Sequence, residues 1–193
     1  MEHARIDPAG LGFDFDGVIA NTAETFLRLA CEEYAHCDIR LEDITDFDVE
    51  NCLAMPPEII QEIFLRVLQD SIGTGLRPME GAVEVLGELT ERSRVTVVTA
   101  RPEPEPVYDW FESVMPRSVV ERIHVVAMGS HDDKVRHVRQ HRLSHFIDDR
   151  AETCLQLRAA GIQSIVFSQP WNRGDHDLPT VTGWQDIRRL CLA

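Results

Sequence analysis

Lysine is nearly missing from this chain. Of its nineteen basic residues, eighteen are arginine and a single one, Lys134, is lysine. Basic residues of either kind are scarce against thirty-three acidic ones, leaving a formal charge of −14. A field of that sign repels polyanions and argues against a polymeric nucleic-acid partner. It still allows a small phosphorylated ligand, because a metal ion and a few local cations can dominate a site. No apolar run approaches the ~20 residues that cross a bilayer. The first ten residues are polar and interrupted by Pro8, unlike a signal peptide. A cytoplasmic protein with no membrane partner is expected. The five cysteines (Cys31, Cys37, Cys52, Cys154 and Cys191) are scattered and odd in number, with no C-x-x-C pair and no zinc-type Cys/His spacing. They are expected to be reduced, mostly packed thiols. The eight histidines show no metal-ligand grouping, and His131, His137 and His141 read as helix-surface residues.

What is present fits one globular domain with room for a small insertion. The chain has 193 residues, of which 44% are apolar and 27% charged. There is no internal repeat and no low-complexity tract. Short apolar runs alternate with helical patterns, the signature of an α/β protein whose parallel sheet is covered by helices on both faces. Strands are expected at 10–14, 94–98, 122–127, 145–147 and 164–167. Helical spacing marks Val83, Leu86 and Leu89; Val107, Trp110, Phe111 and Val114; Val135 and Val138; Cys154, Leu155 and Leu157; and Ile187, Leu190 and Leu192. Roughly eighty residues separate the first two strands, far more than one crossover helix needs. Helices are expected there over 22–34 and 57–68, the second with Pro at a tolerated early position. Gly73-Thr74-Gly75 and Pro78 then read as a hinge back to the sheet. Residues 21–76 are therefore expected to form a small helical cap, and 1–20 with 77–193 a Rossmann-like core.

Ligand sites in open parallel sheets lie at the carboxyl ends of the strands. Four polar clusters fall on such positions or on helix starts beside them. Asp14-Phe15-Asp16-Gly17-Val18 follows the first strand and sets two carboxylates where one can attack and the other handle a proton. An Asp-Gly hairpin turn would need a second alternating strand at once, and a helical pattern follows instead. Asp148-Asp149 closes the run His-Phe-Ile; two adjacent carboxylates at a strand end suit Mg²⁺, or else mark the acidic start of the next helix. Thr99 ends Val95-Thr96-Val97-Val98, and its hydroxyl either donates to a phosphoryl oxygen or caps the following turn. Lys134 opens a helix. In a chain that uses arginine eighteen times, a sole lysine suggests a need for a compact point charge. Arg101, Arg150 and Arg173 follow strand ends and are candidates for substrate contact at the rim, or else exposed partners of an acidic surface. Trp171 either stacks on a ligand ring or packs under its own loop.

In this order the clusters resemble the haloacid dehalogenase superfamily of phosphatases over essentially the whole core. Asp14-x-Asp16-Gly-Val is similar to its first motif, Thr99 after Val-Val to its second, Lys134 to its third and Asp148-Asp149 to its fourth. The position of the insertion matches that of the superfamily's helical cap. Asp16 favours phosphoryl transfer, because members that are true dehalogenases generally lack it. The resemblance implies that Asp14 attacks phosphorus to form an aspartyl-phosphate while Asp16 serves as acid and then base. It also implies that Thr99 and Lys134 stabilise the transferring group, and that Mg²⁺ is held by Asp14, the backbone carbonyl of Asp16 and Asp148 with Asp149 in support. Phe146-Ile147-Asp148-Asp149-Arg150 and Gln169-Pro170-Trp171-Asn172-Arg173 look like the 5′-deoxyribonucleotidase branch and its bacterial relatives. The second motif departs from that branch, reading Thr99-Ala100-Arg101-Pro102 where Ser-Pro usually follows the Thr.

The expected activity is Mg²⁺-dependent hydrolysis of a small phosphomonoester, with a nucleoside monophosphate as one candidate. A phosphomutase on the same core, or a non-catalytic relative that binds phosphate ligands, are the alternatives. A phosphonate hydrolase would need a Schiff-base lysine in the cap, which has none. Nothing in the sequence specifies an oligomeric state.

Overall fold

A computed structural model describes residues 5–130, 133–174 and 176–192. In chain order its elements are β1 (Leu11–Phe13), α1 (Thr22–Tyr34), α2 (Pro57–Gln69), α3 (Ala82–Arg92), β2 (Val95–Thr99), α4 (Glu105–Val114) and α5 (Arg117–Val120). There follow β3 (Ile123–Ala127), α6 (Lys134–Gln140), β4 (His145–Asp148), α7 (Ala151–Ala159), β5 (Gln163–Phe167), β6 (Thr180–Val181) and α8 (Trp184–Cys191). The strands form one sheet in the order β3-β2-β1-β4-β5-β6, parallel at every pairing. From β1 the chain first builds outward through β2 and β3, then returns to build the other side from β4. The reversal leaves a crevice at the carboxyl ends of the central strands.

Alternation along each strand divides the core between two faces. Phe13, Val97, Ile147 and Ile165 face α3, α4 and α8, where Leu86, Trp110, Phe111, Trp184 and Ile187 are buried. On the other face Val98 and Phe146 pack with Val138, Leu143, Leu157 and Ile162, from α6, α7 and the turns that follow them. The register matters for chemistry. Phe13 of β1 sits opposite Ile147 of β4 and opposite Val97 of β2. Asp14 and Asp148 therefore emerge side by side, while Thr99 stands two residues beyond the level of Phe13.

Between β1 and α3 the chain leaves the sheet and comes back to the same spot. The Asn21 amide donates to the Arg77 carbonyl at 2.8 Å and the Met79 amide to the Ile19 carbonyl at 2.8 Å, so entry and exit are tied together. Inside the insert, α1 and α2 meet through stacked Phe26 and Phe64, centroids 4.8 Å apart, and through buried Leu29, Ala30, Ile60, Ile63 and Val67. Helix α1 starts at Asn21, whose side chain accepts from the Glu24 amide, and ends where Ala35 turns left-handed at a φ of 61°.

That turn corrects one expectation. Cys31 and Cys37 are not reduced thiols but form a disulfide, their Cα atoms 4.2 Å apart. The left-handed residue reverses the chain after α1 and carries Cys37 back to the last turn, a folding-back that cysteine spacing alone does not reveal. Cys154 and Cys191 are free and buried, and Cys52 is free and half-buried. The two-residue β6 and the single turn α5 are too short to carry a period, and neither was anticipated. Among the described residues, no helix is long and apolar enough to cross a membrane.

Candidate active site

Hydrogen bonding along β1 continues for one residue past its end, with the Asp14 amide donating to the Ile147 carbonyl at 2.8 Å. The chain then curls. The amides of Ile19 and Ala20 both donate to the Phe15 carbonyl, and the Gly17 amide to Ala20. Phe15 is buried edge-on against Trp110 and Phe111 at 5.0 and 5.6 Å. With Phe15 anchored on that side, Asp14 and Asp16 both line the crevice. Gly17 turns the loop at a φ of 75°, a region that residues with a Cβ rarely enter. A Cβ there would also strike the Asp149 carboxylate.

Lys134, the first residue of α6, reaches into this corner. Its Nζ donates to Asp14 Oδ1 at 2.8 Å and to Asp148 Oδ2 at 2.6 Å. Asp14, Lys134, Asp148 and Asp149 are all buried. Burial lifts the Asp14 carboxyl to about 7, with Lys134 pulling against the shift and Asp148 adding to it. Burial, then the negative charge of Asp148 and Asp14, pushes Asp149 well above the ordinary carboxyl range. Burial alone would lower the Lys134 ammonium, but Asp14 and Asp148 outweigh it and hold the group firmly protonated.

Asp16 also lines the crevice but belongs to a different network. Its Oδ1 accepts from Thr22 Oγ1 at 2.5 Å and from Arg101 Nη2 at 2.8 Å, and its Oδ2 from Arg101 Nε at 2.8 Å. Burial would raise this carboxyl, yet the charge and hydrogen bonds of Arg101, with the Thr22 bond, hold it below its usual value. Thr99 is buried and its hydroxyl accepts from the Arg101 amide at 3.2 Å, so it caps the loop after β2 while lining the site.

The three arginines do not share one rim. Arg101 is 3% exposed and belongs to Asp16. Arg150 stacks its guanidinium over Phe47, 4.8 Å from the ring centre, and pairs with Glu152 at 2.7 Å. Arg173 is exposed and is not among the residues lining the cavity. The loop before it carries structural weight that the sequence did not reveal. Gln169 Nε2 donates to the Gly17 carbonyl at 2.7 Å, and Asn172 Nδ2 to the Asp149 carbonyl at 2.6 Å. These two amides lock the first and fourth motifs together from behind. Thr22 and Ser71 were also missed. In sequence Thr22 reads only as a helix start, and Ser71 carries no signal at all.

Above the carboxylates a cavity of about 360 Å³ opens toward the insert. Its walls are largely apolar (Phe26, Phe47, Ile60, Phe64, Leu68 and Trp171), with Asp48 and Glu50 exposed at the edge. Trp171 thus lines the cavity, and its Nε1 is buried with no hydrogen-bond partner among the described residues.

Asp14, Asp148 and Asp149 bring carboxylate oxygens within 4.8 Å of one another. Three buried carboxylates crowd against one ammonium; the upward shifts of Asp14 and Asp149 come first from burial and then from that crowding. An all-oxygen set crowded in this way fits a hard divalent cation. The side chain of Asp16 is not in this group; it is turned to Arg101. Among the described residues no histidine joins a metal-holding group. His137 is half-buried, His141 lies 5.0 Å from His124 ring to ring, and His131 lies outside the described residues.

Residues 8–193 match the family described as 5′ nucleotidase, deoxy (pyrimidine), cytosolic type C protein. No curated protein matches. Among solved structures, the protein tyrosine kinase A of Mycobacterium tuberculosis is similar at 17% identity and a TM-score of 0.62, over 93% of this chain and 95% of that one. A haloacid dehalogenase-like hydrolase of Streptococcus pneumoniae has 14% identity and a TM-score of 0.60, over 93% and 96%. CbbY of Rhodobacter sphaeroides, solved with phosphate, has 15% identity and a TM-score of 0.58, over 92% and 95%. At such identities these three speak for the fold alone.

Proposed function

This chain belongs to the cytosolic type C 5′-nucleotidase family of haloacid dehalogenase-like hydrolases and is a phosphatase; on that premise we propose that it hydrolyses monophosphate esters of small ring-bearing alcohols, nucleoside monophosphates among them, through a phosphoryl group carried on Asp14. The observation that carries this reading is the contact of Lys134 Nζ with Asp14 Oδ1 at 2.8 Å, Asp14 itself lining an apolar cavity. A lone ammonium there works against the rise that burial gives the nucleophile's carboxyl and, on this reading, meets a phosphoryl oxygen once the substrate is on Asp14.

Asp14 attacks phosphorus and the ester P–O bond breaks; Asp16, ionised in the free site by Arg101, takes up a proton as the negative phosphoryl group binds and passes it to the leaving oxygen. Water then attacks phosphorus, gives its proton to Asp16, and the bond from Asp14 to phosphorus breaks. Thr99 and Lys134 hold the oxygens of the transferring group. A divalent cation, Mg²⁺ by the oxygen-only donor set, would be held by Asp14, Asp148 and Asp149 with the backbone carbonyl of Asp16, and would neutralise charge on the phosphoryl group. Residues 21–76 act as the cap that chooses the alcohol, and 1–20 with 77–193 as the catalytic core. Among the described residues lining the cavity, Arg101 is the only arginine or lysine, and it is already paired with Asp16. A second anionic group on the substrate would find Asp48 and Glu50 instead, so monophosphates are preferred to bisphosphates.

A phosphate-release screen across nucleoside monophosphates, sugar phosphates and a sugar bisphosphate, with and without Mg²⁺, tests this reading. Mg²⁺-dependent release that favours the nucleoside monophosphates, and vanishes in Asp14→Asn, is expected. Full activity of Asp14→Asn contradicts the mechanism. Transfer of phosphate to a second hydroxyl, in place of release, identifies a mutase.

A further inference from the structure

Arg101 is a costly residue to bury, and the structure accounts for nearly all of its donors. Nε and Nη2 grip both oxygens of Asp16 at 2.8 Å each. Nη1 turns the other way and donates to Ser71 Oγ at 2.7 Å and to the Leu68 carbonyl at 3.4 Å. Ser71 in turn donates to the Val67 carbonyl in the last turns of α2. The plane of the guanidinium lies over the Phe15 ring, 4.7 Å from its centre. One side chain, from the loop after β2, therefore bridges the carboxylate beside the nucleophile to the far end of the insert.

A planar fork of this kind fixes the direction of a carboxylate, which a point charge cannot do. It occupies one acceptor position on each oxygen of Asp16, and Thr22 takes a third of the roughly four that a carboxylate offers. One position is left, on a side chain that is 29% exposed and lines the cavity. We infer that Arg101 is a positioning residue for Asp16: held by Ser71 and Leu68 of the insert, it aims the free position of that carboxylate at the leaving oxygen, so that proton delivery depends on how the insert is seated. With its donors spent and 3% exposure, Arg101 has little left for substrate. The inference rests on the hydrolytic role given to Asp16 above. The proton concerned is taken up by Asp16 as the phosphoryl group binds, passes to the leaving oxygen as the ester bond breaks, and returns from water as the bond to Asp14 breaks.

Two esters separate this role from others. 4-Nitrophenyl phosphate releases an anion that needs no proton, whereas benzyl phosphate releases an alkoxide that does. In Arg101→Met, kcat on benzyl phosphate should fall roughly 10- to 100-fold, the range of a misdirected general acid. The same variant should give a burst of about one nitrophenolate per active site from the nitrophenyl ester, then turn over slowly for want of the base. KM for both esters should stay within about threefold, because no binding contact is lost. Arg101→Lys should lie between wild type and Arg101→Met, since an ammonium can direct only one oxygen. Ser71→Ala should shift the ratio of the two activities the same way by a few-fold, and serves if Arg101→Met does not fold. Burst amplitude counts active molecules, so partial misfolding does not imitate the result. A rise in KM with kcat intact assigns Arg101 to substrate and overturns the inference. An equal fall in kcat on both esters without a burst, or an unchanged ratio in Arg101→Lys and Ser71→Ala, does so as well. If wild type releases phosphate and Asp14→Asn does not, such a result removes only the role of Arg101. An inactive wild type, or an active Asp14→Asn, removes the hydrolytic reading and the inference with it.

Discussion

The sheet edge and the insert meet over one cavity but are built by opposite rules. At the sheet edge Asp14, Thr99, Lys134, Asp148 and Asp149 are all buried, and nearly every position is set by strand register or a loop hydrogen bond. The insert presents Phe26, Phe47, Ile60 and Phe64, with exposed Asp48 and Glu50 at its edge. It offers area and shape in place of reacting groups. On the proposed reading, chemistry that is common to any phosphate ester belongs to the first region, and the choice of ester to the second. Variants of the sheet edge should therefore change kcat on every substrate alike, while variants of the insert should change KM and the ranking of substrates.

The largest effect is expected at the proposed nucleophile. Asp14→Asn should lower kcat by on the order of 10⁴-fold on aryl and alkyl esters alike, measured by phosphate release. Next comes Lys134→Arg, which conserves charge but cannot place a compact ammonium within 2.8 Å of Asp14 and 2.6 Å of Asp148. A loss of about 10²-fold in kcat is expected, close to that of removing one charge-stabilising donor. Gly17→Ala would combine an unfavourable φ with a clash against Asp149. The Mg²⁺ concentration for half-maximal activity should rise about tenfold, as for other changes that displace a ligand.

How far these positions were readable depended on how local their causes are. Asp14, Asp16 and Asp148-Asp149 follow short apolar runs, Thr99 ends one, and Lys134 stands out by scarcity, so each was legible in one dimension. Thr22–Tyr34 was bounded correctly because cap, period and stop lie within the same stretch. Arg101 reads from the sequence as a candidate for substrate contact, but its pairing does not, because Asp16, Leu68 and Ser71 reach it only when the insert returns to the sheet. Gln169 and Asn172 act through amides on distant backbone carbonyls, which no periodicity encodes. The Cys31–Cys37 bond depends on a left-handed alanine, a conformation that sequence gives little reason to expect at that residue type.

Smaller effects should sharpen the other half of the comparison. Phe64→Ala removes one member of the Phe26 stack and part of the cavity wall. It should raise KM for a nucleoside monophosphate roughly tenfold and cost about 2–3 kcal/mol of stability, less than a fully buried Phe. An equal fall in kcat on every ester would break the division between the regions. Smallest of all should be the Cys31→Ser/Cys37→Ser double variant. Its short loop limits the loss to about 2 kcal/mol in denaturant unfolding. Phosphate release should be unchanged, since neither residue lines the cavity.

The central claim is that Asp14 carries the phosphoryl group, and it can be read directly from the protein's mass. Asp16→Ala should still accept phosphate from 4-nitrophenyl phosphate, whose leaving group needs no proton, but lack the base that releases it. Quenching that variant in acid after mixing should show one added phosphoryl group, located by peptide fragmentation on Asp14. Turnover with no modified residue, or a phosphoryl group found on any side chain other than Asp14, would contradict the account.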